Sequence, residues 1–240
     1  MSASGMRIAM PEPRRVADES EIIDEVLSLK GAAVLELGCG PARMTRIVAP
    51  RAASVVALDV DERQHEKNLQ IKDLPNVVFG LGGAESIPVR DAEFDVVFMF
   101  KSLHHVEIDR MDDAFAEIHR VLKDGGCAYI SEPVFDGDFN EILRIFNNEE
   151  IVREAAFEAE RRAIMSRQFS LLTQVFFWQS VHFDCFGQFE EQSIKVTYSE
   201  RRLSQQQYDE VLSRFNRNLT QSGADFLMPI RVDVLQKQRG

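Results

Sequence analysis

The chain has 240 residues, 45% of them hydrophobic, enough to bury a sizeable core and to exclude global disorder. Its formal net charge of −11 argues against a surface that tracks a nucleic-acid backbone. Cys39, Cys127 and Cys185 lie far apart with no CxxC pair, so no metal site is expected and a reducing cytoplasm is the natural setting.

Residues 1–18 read as a flexible arm, and MSASGMRIAMPEPRR lacks the apolar core of a secretory signal. No apolar run approaches the roughly 20 residues of a membrane span. A helical stripe of Ile22, Ile23, Val26, Leu27 and Leu29 follows, with Ser20 as its N-cap. Ala32–Leu37 is a compact strand, and Pro41–Val48 begins the next helix. Ala53–Leu58 is a second strand ending at Asp59, and Asn76–Phe79 a third.

Phe94–Phe100, FDVVFMF, is apolar almost throughout, as a strand buried on both faces of a parallel sheet must be. Asp112–Leu122 follows as a helix with Ala114, Phe115, Ile118, Val121 and Leu122 on one side, and Gly125 and Gly126 stop it. Cys127–Ser131 is the fifth strand. Alternating strands and helices mean βαβ units and a parallel sheet.

After Pro133 the rhythm changes. Asn140–Met165 has one long helical pattern, and Phe169–Phe189 is dense in aromatics that suit a cover over a substrate, ordinary core or a dimer contact. Ser193–Tyr198 reads as a strand. Ser204 and Gln207 form a capping box for a helix with the stripe Tyr208, Val211, Leu212, Phe215 and Leu219; Phe226–Leu235 is the last strand.

The glycine turn in VLELGCGPARMT, Val34–Thr45, follows a strand and opens a helix, and Asp59 lies about 20 residues on, where an acid accepts from ribose hydroxyls. That describes a nucleoside-binding half. The third glycine of a dinucleotide fingerprint is replaced by Arg43, and Glu36 would be unwelcome beside a pyrophosphate but suits a cationic ligand.

With VVALDVD, GGAESIPVRDAEFDVVFMFKSLHHV and EIHRVLKDGGCAYISEP, the turn makes four stretches in order over roughly residues 30–135. Their pattern resembles the class I S-adenosylmethionine-dependent methyltransferases, especially the branch similar to the ubiquinone-biosynthesis enzymes. The resemblance implies an α/β doubly wound, seven-strand, mostly parallel sheet of the Rossmann-like methyltransferase kind, its last strand antiparallel.

It implies a cofactor-binding core over 19–136, a helical and aromatic lid over 137–190, and C-terminal strands and a helix over 191–240 completing the sheet. It implies S-adenosylmethionine as cofactor; with the acidic balance and an appended helical and aromatic region large enough to enclose a ligand, a small molecule is the expected methyl acceptor. Gly38 and Gly40, with Cys39 between them, would bring backbone against the methionine part, and Glu36 would orient that end. Asp59, with Val60 beside it, would bind the ribose. Ala84 would meet adenine through its N–H, flanked by Gly83, where the family often has an acid, and by Glu85; either Glu85 compensates for the missing acid, or water does, or stacking alone holds the adenine. Phe100 and Lys101 would lie beside the sulfonium, with Lys101 turned toward the substrate opening.

His104 and His105 follow directly. Adjacent residues point different ways, so one packs against the sheet, and His105 is the candidate for the reaction centre. Two other classes stay open: a non-catalytic subunit that binds the same cofactor, and a nicotinamide-dependent oxidoreductase. The acceptor atom and the oligomeric state are not written in the sequence.

Overall fold

The computed structural model describes residues 5–10, 15–195 and 203–238. Five strands run parallel, β1 (Ala33–Leu37), β2 (Ser54–Asp59), β3 (Val77–Leu81), β4 (Phe94–Phe100) and β5 (Leu122–Pro133). β6 (Phe169–Phe183) forms the outer edge, and β8 (Gly223–Lys237) lies between β5 and β6, antiparallel to both. The order is β3-β2-β1-β4-β5-β8-β6, with the two-residue β7 (Leu219–Thr220) folded onto β8. The expected mostly parallel sheet with an antiparallel last strand is therefore present. No helix among the described residues is long and apolar enough to cross a membrane.

Strand alternation divides the core into two layers. Leu35, Leu37, Val97 and Met99 face one way, packed with Phe115 and Ile118 of α4 (Met111–Val121) and Phe157 and Ile164 of α6 (Glu150–Met165). Val34, Val96, Phe98 and Tyr129 face the other, packed with Ile22 and Ile23 of α1 (Glu19–Val26) and Val48 of α2 (Arg43–Val48). The remaining core helix, α3 (Glu62–Asn68), is capped by Asp61, whose carboxylate accepts from the N–H groups of Arg63 and Gln64.

Several expectations are corrected. Asp18, not Ser20, occupies the N-cap of α1, and Ser20 lies inside its first turn. α4 ends at Val121 and the chain turns straight into β5; Gly125 and Gly126 sit in the irregular stretch where the β4–β5 register shifts between Phe94 and Val96. The helical pattern of Asn140–Met165 is broken into α5 (Asp138–Leu143) and α6. The span 137–190 is not helical throughout, because Phe169–Phe183 is an edge strand of the sheet. Ser193 and Ile194 end a π-helical turn over Glu190–Ile194 instead of starting a strand, and the rest of the expected strand, from 196, lies outside the described residues.

The arm is docked where it is described. Val16 bridges Trp178 in parallel, and the N–H and C=O of Trp178 bond to Arg15 and Ala17, which covers part of the β6 edge.

β6 and β8 pair well past the end of β5. This ribbon carries a third core: Phe139 of α5, Phe183, Phe189 of the short α7 (Phe186–Phe189), Phe226, and Val211 and Phe215 of α8 (Gln205–Asn216). The capping box of Ser204 and Gln207 starts α8 as expected, while Leu219 leaves the helix for β7. The aromatic stretch thus serves all three cores, with Phe169, Phe177 and Phe183 in one each.

Phe215 is wholly buried among Phe183, Phe186, Phe189 and Phe226. Phe215→Ala is expected to lower the stability to urea by about 3–5 kcal/mol. An unchanged unfolding midpoint would mean that this cluster does not hold the extension to the sheet.

Candidate functional site

β1 has β2 on one side and β4 on the other, so the chain leaves its C-terminal end in one direction and returns from the opposite one. Open α/β sheets bind ligands in the crevice this creates. Glu36, Gly38, Cys39, Gly40, Asp59, Phe100, Lys101 and the turn at Gly83–Glu85 all lie at or just beyond these strand ends.

Gly38 has φ +74°, and a Cβ there would stand 2.7 Å from the Cβ of Ser102, so the position demands glycine twice over. Leu58 at the end of β2 accepts from the N–H groups of both Gly38 and Cys39, at 2.9 and 3.0 Å. Asp59 Oδ2 accepts from Gly40 N–H at 2.6 Å, and Oδ1 from Asp61 N–H at 2.9 Å. Each oxygen keeps a further lone pair for a hydroxyl donor. Asn68 of α3 closes the turn from outside, its amide donating to Gly40 O at 2.8 Å. Val60 beside Asp59 is 71% exposed.

Glu36 lies between Ala57 and Phe98 in the sheet and is only 1% exposed. Burial pushes its carboxyl up to about 8; the nearby Thr45 hydroxyl works against this and the Asp59 charge adds to it. Glu36 Oε2 and Thr45 Oγ1 nevertheless close no hydrogen bond at normal geometry. A buried carboxylate oxygen without a partner at a ligand crevice is a group in want of a cation or a donor. Cys39 is the opposite case: burial first, then Glu36 and Asp59, push its thiol far above neutrality, and it packs as a small turn residue.

Gly83 and Ser86 form a tight antiparallel bridge in which Ser86 N–H bonds Gly83 O, and the N–H of Ala84 takes no part in that bond. The Glu85 carboxylate folds back over Gly83, so close that a Cβ at Gly83 would meet its oxygens at 2.6 Å. An acid is therefore delivered to the Gly83 position from two residues on.

Phe100 stacks on Phe98 with centroids 4.9 Å apart, and Tyr129 tilts against both. Lys101 adopts φ +53°. It does not point to an opening: its Nζ donates to Glu19 Oε2 at 3.0 Å, and Glu19, itself buried, also accepts from Tyr129 OH at 3.0 Å. Its charge is neutralised by α1. Nothing in the sequence marks Glu19, Asn68 or Ser102 for these tasks, since their partners lie 28 to 110 residues away.

Of the two histidines, His104 is the buried one. Its Nδ1 donates to Glu132 Oε2, and Leu103 N–H donates to Glu132 Oε1 at 2.9 Å. Burial alone would lower His104, but the charges of Glu132 and Glu149 and the bond to Glu132 carry it above the usual histidine range. His105 lies on the exposed side with its ring 4.1 Å from that of His104, and desolvation and the neighbouring His104 push it down.

Residues 35–130 match the family model described as a methyltransferase domain. An uncharacterised methyltransferase of Mycobacterium tuberculosis is 34% identical over 122 residues, covering 51% of this chain and 48% of the relative. A demethylmenaquinone methyltransferase of Chlorobaculum parvum is 43% identical over 63 residues, 26% of this chain and 25% of its own. The chain spans about half the length of the curated relatives it matches, from 44% to 48% for the first three. The crystal structure of YcgJ from Bacillus subtilis shares the fold at a TM-score of 0.61 and 18% identity, over 92% of this chain and 97% of that one. Over residues 35–130, the Rossmann-like core built around the glycine turn matches a methyltransferase domain.

Proposed function

We propose that the chain is an enzyme that moves a methyl group from S-adenosylmethionine to a small-molecule acceptor. The observation that supports this most is Glu36, a buried carboxylate with a partnerless oxygen beside a glycine turn. It suits a ligand with a positive charge and a hydrogen-bond donor at one end, which would draw the carboxyl into its ionised form, and it gives a pyrophosphate no such gain. That preference also disfavours a nicotinamide dinucleotide.

When bound, the cofactor supplies a methyl group on a sulfonium whose positive charge already activates it. The chain's own task is binding and alignment. Gly38 and Gly40 bring backbone to the methionine part with Cys39 filling the turn, and Glu36 pairs with the cationic end. Asp59 accepts from the ribose hydroxyls. The exposed Val60 side chain and Gly83 bound the adenine position, Ala84 N–H donates to the ring, and the folded-back Glu85 carboxylate accepts from its amino group. Phe100 and Lys101 border the methyl, and the Lys101–Glu19 pair keeps the lysine charge off the sulfonium.

Displacement then needs an acceptor atom held in line, at about 3–3.5 Å. His105, whose pKa desolvation and the neighbouring His104 push below the ordinary value, is the candidate to take a proton from an acceptor hydroxyl. The acidic balance of the chain and the helices added beyond β5 favour a small acceptor over a nucleic acid.

Asp59→Ala is expected to weaken S-adenosylmethionine binding by about an order of magnitude or more, because two bonds to a charged acceptor go together. Unchanged affinity in the folded variant would remove Asp59 from the site. Incubation with methyl-labelled cofactor and a cell extract should place label in the small-molecule fraction; label confined to macromolecules would overturn the acceptor class.

Glu36 gives a pH prediction. Its carboxyl titrates near 8 in the fold against 4.5 in a free chain, so the native state keeps a proton that the unfolded state loses between those values. Stability therefore falls as pH rises through that window. Glu36→Gln is expected to become progressively more stable than the parent from pH 4.5 to 8. Parallel urea curves across that range would contradict the burial of an unpartnered Glu36.

A further inference from the structure

Just past the end of β4, three side chains bring ligand atoms within 4.8 Å of one another: His104, His105 and Glu149. Among the described residues this is the one group of three or more histidines, cysteines and acids close enough to share an ion. Its members come from two separate parts of the chain, the turn after β4 and the residue preceding α6.

The surroundings are those of a built site. Glu132 accepts from Nδ1–H of His104 and is held in place by Leu103 N–H at 2.9 Å. In the neutral ring that bond selects the tautomer in which Nε2 carries the lone pair, the arrangement by which proteins orient a metal-binding imidazole; the second proton that Glu132 and Glu149 favour on His104 would leave as an ion binds. Nε2 faces Glu149 Oε2 at 3.8 Å, too long for a hydrogen bond and suited to two ligands that share one ion. Glu149 is itself fixed, with Asn147 Nδ2 donating to Oε1 and Arg153 Nη2 to Oε2, each at 2.6 Å. An ionised carboxylate oxygen has two lone-pair sites, so each bond leaves one free. The Arg153 charge opposes a cation, and the two carboxylates Glu132 and Glu149 outweigh it.

We propose that His104 Nε2, His105 and the Glu149 carboxylate bind a divalent transition-metal ion of the zinc type, with Glu132 as the positioning residue behind His104. Two imidazoles and one carboxylate are a zinc donor set, and three protein ligands leave the fourth tetrahedral position for water or another oxygen. The ligand atoms must draw together from their present spacing to about 3.4 Å for bonds of about 2.1 Å, a movement the exposed His105 can make. On the methyl-transfer reading given above, an acceptor hydroxyl in the fourth position would lose its proton to solvent more readily, and His105 would act as ligand instead of base. Metal binding itself does not rest on that reading.

The test is titration of the chelator-stripped full chain with zinc, and with cobalt(II) for its absorption spectrum, in the absence of S-adenosylmethionine. The expected result is one ion per chain, with the visible bands of four-coordinate cobalt. His105→Ala and Glu149→Gln should each weaken zinc binding by at least about tenfold, and Glu132→Gln by about 10–100-fold, with the His105→Ala chain melting as the parent does without metal. His182→Ala serves as the control, since exposed His182 lies between Asp184 and Asp225 and is the natural adventitious site. No zinc binding, meaning that the carboxylates hold a proton on His104 and not a metal, would overturn the proposal. So would binding that survives His105→Ala and Glu149→Gln, or that disappears with His182→Ala.

Discussion

The bond from Gly40 N–H to the Asp59 carboxylate is the contact on which the site depends. Parallel β1 and β2 end at the same height, and the chain must leave β1 without shedding the hydrogen bonds of its last amides. Leu58 takes two of those N–H groups and Asp59 the third. The turn is thereby an extension of the β1–β2 ladder and not a free loop. Within this turn Gly38 sits against Ser102 with no room for a Cβ, and α2 begins from Ala42 in a left-handed conformation. The same carboxylate bonds Asp61 N–H, and Asp61 caps α3. One side chain thus ties the glycine turn and the next helix to the end of β2.

Around that bond the sheet gathers buried carboxylates, and the way each is satisfied separates scaffold from site. Glu19 is shared between Lys101 and Tyr129. Glu132 is held by His104, Leu103 N–H and the neighbouring Arg231 charge, which keep it below the usual carboxylate range although burial opposes them. Asp95, half-exposed at the opposite end of β4, accepts from Ala33 N–H and Lys123. Glu36 keeps an oxygen with no partner and a carboxyl that burial pushes toward neutrality; buried Glu160 shares both features, but its other oxygen is paired with Arg231, whereas Glu36 has no cation beside it. Leaving such a group unpaired costs about 1–3 kcal/mol, which a cationic ligand would relieve. The crevice therefore holds a carboxyl that a charged ligand end would draw into its ionised form, with Phe100, backed by the buried Phe98, at the end of β4.

The core of the fold was legible because its signals are local. FDVVFMF can only be a strand buried on both faces, and Phe94–Phe100 matches it residue for residue. What was hidden depends on distant partners. Phe169–Phe183 carries too many aromatics to show a two-residue alternation, because β8 lies beside it and the residues serve three different cores. Asn140–Met165 kept a helical period across a break that the docking of α5 against β8 imposes. At the site, the glycines and Asp59 were visible from spacing. The direction of Lys101 was not, since Glu19 is 82 residues away, and neither was the burial of His104 in preference to His105, which Glu132 and Glu149 decide.

The most direct test of this account is calorimetric titration of the purified chain with S-adenosylmethionine, S-adenosylhomocysteine and NAD. The account predicts saturable one-to-one binding of the adenosyl compounds and none of NAD, because Glu36 and the Asp59-tied turn suit a cationic amino-acid end and give a pyrophosphate no such gain. Binding of NAD, or of none of the three, would contradict it.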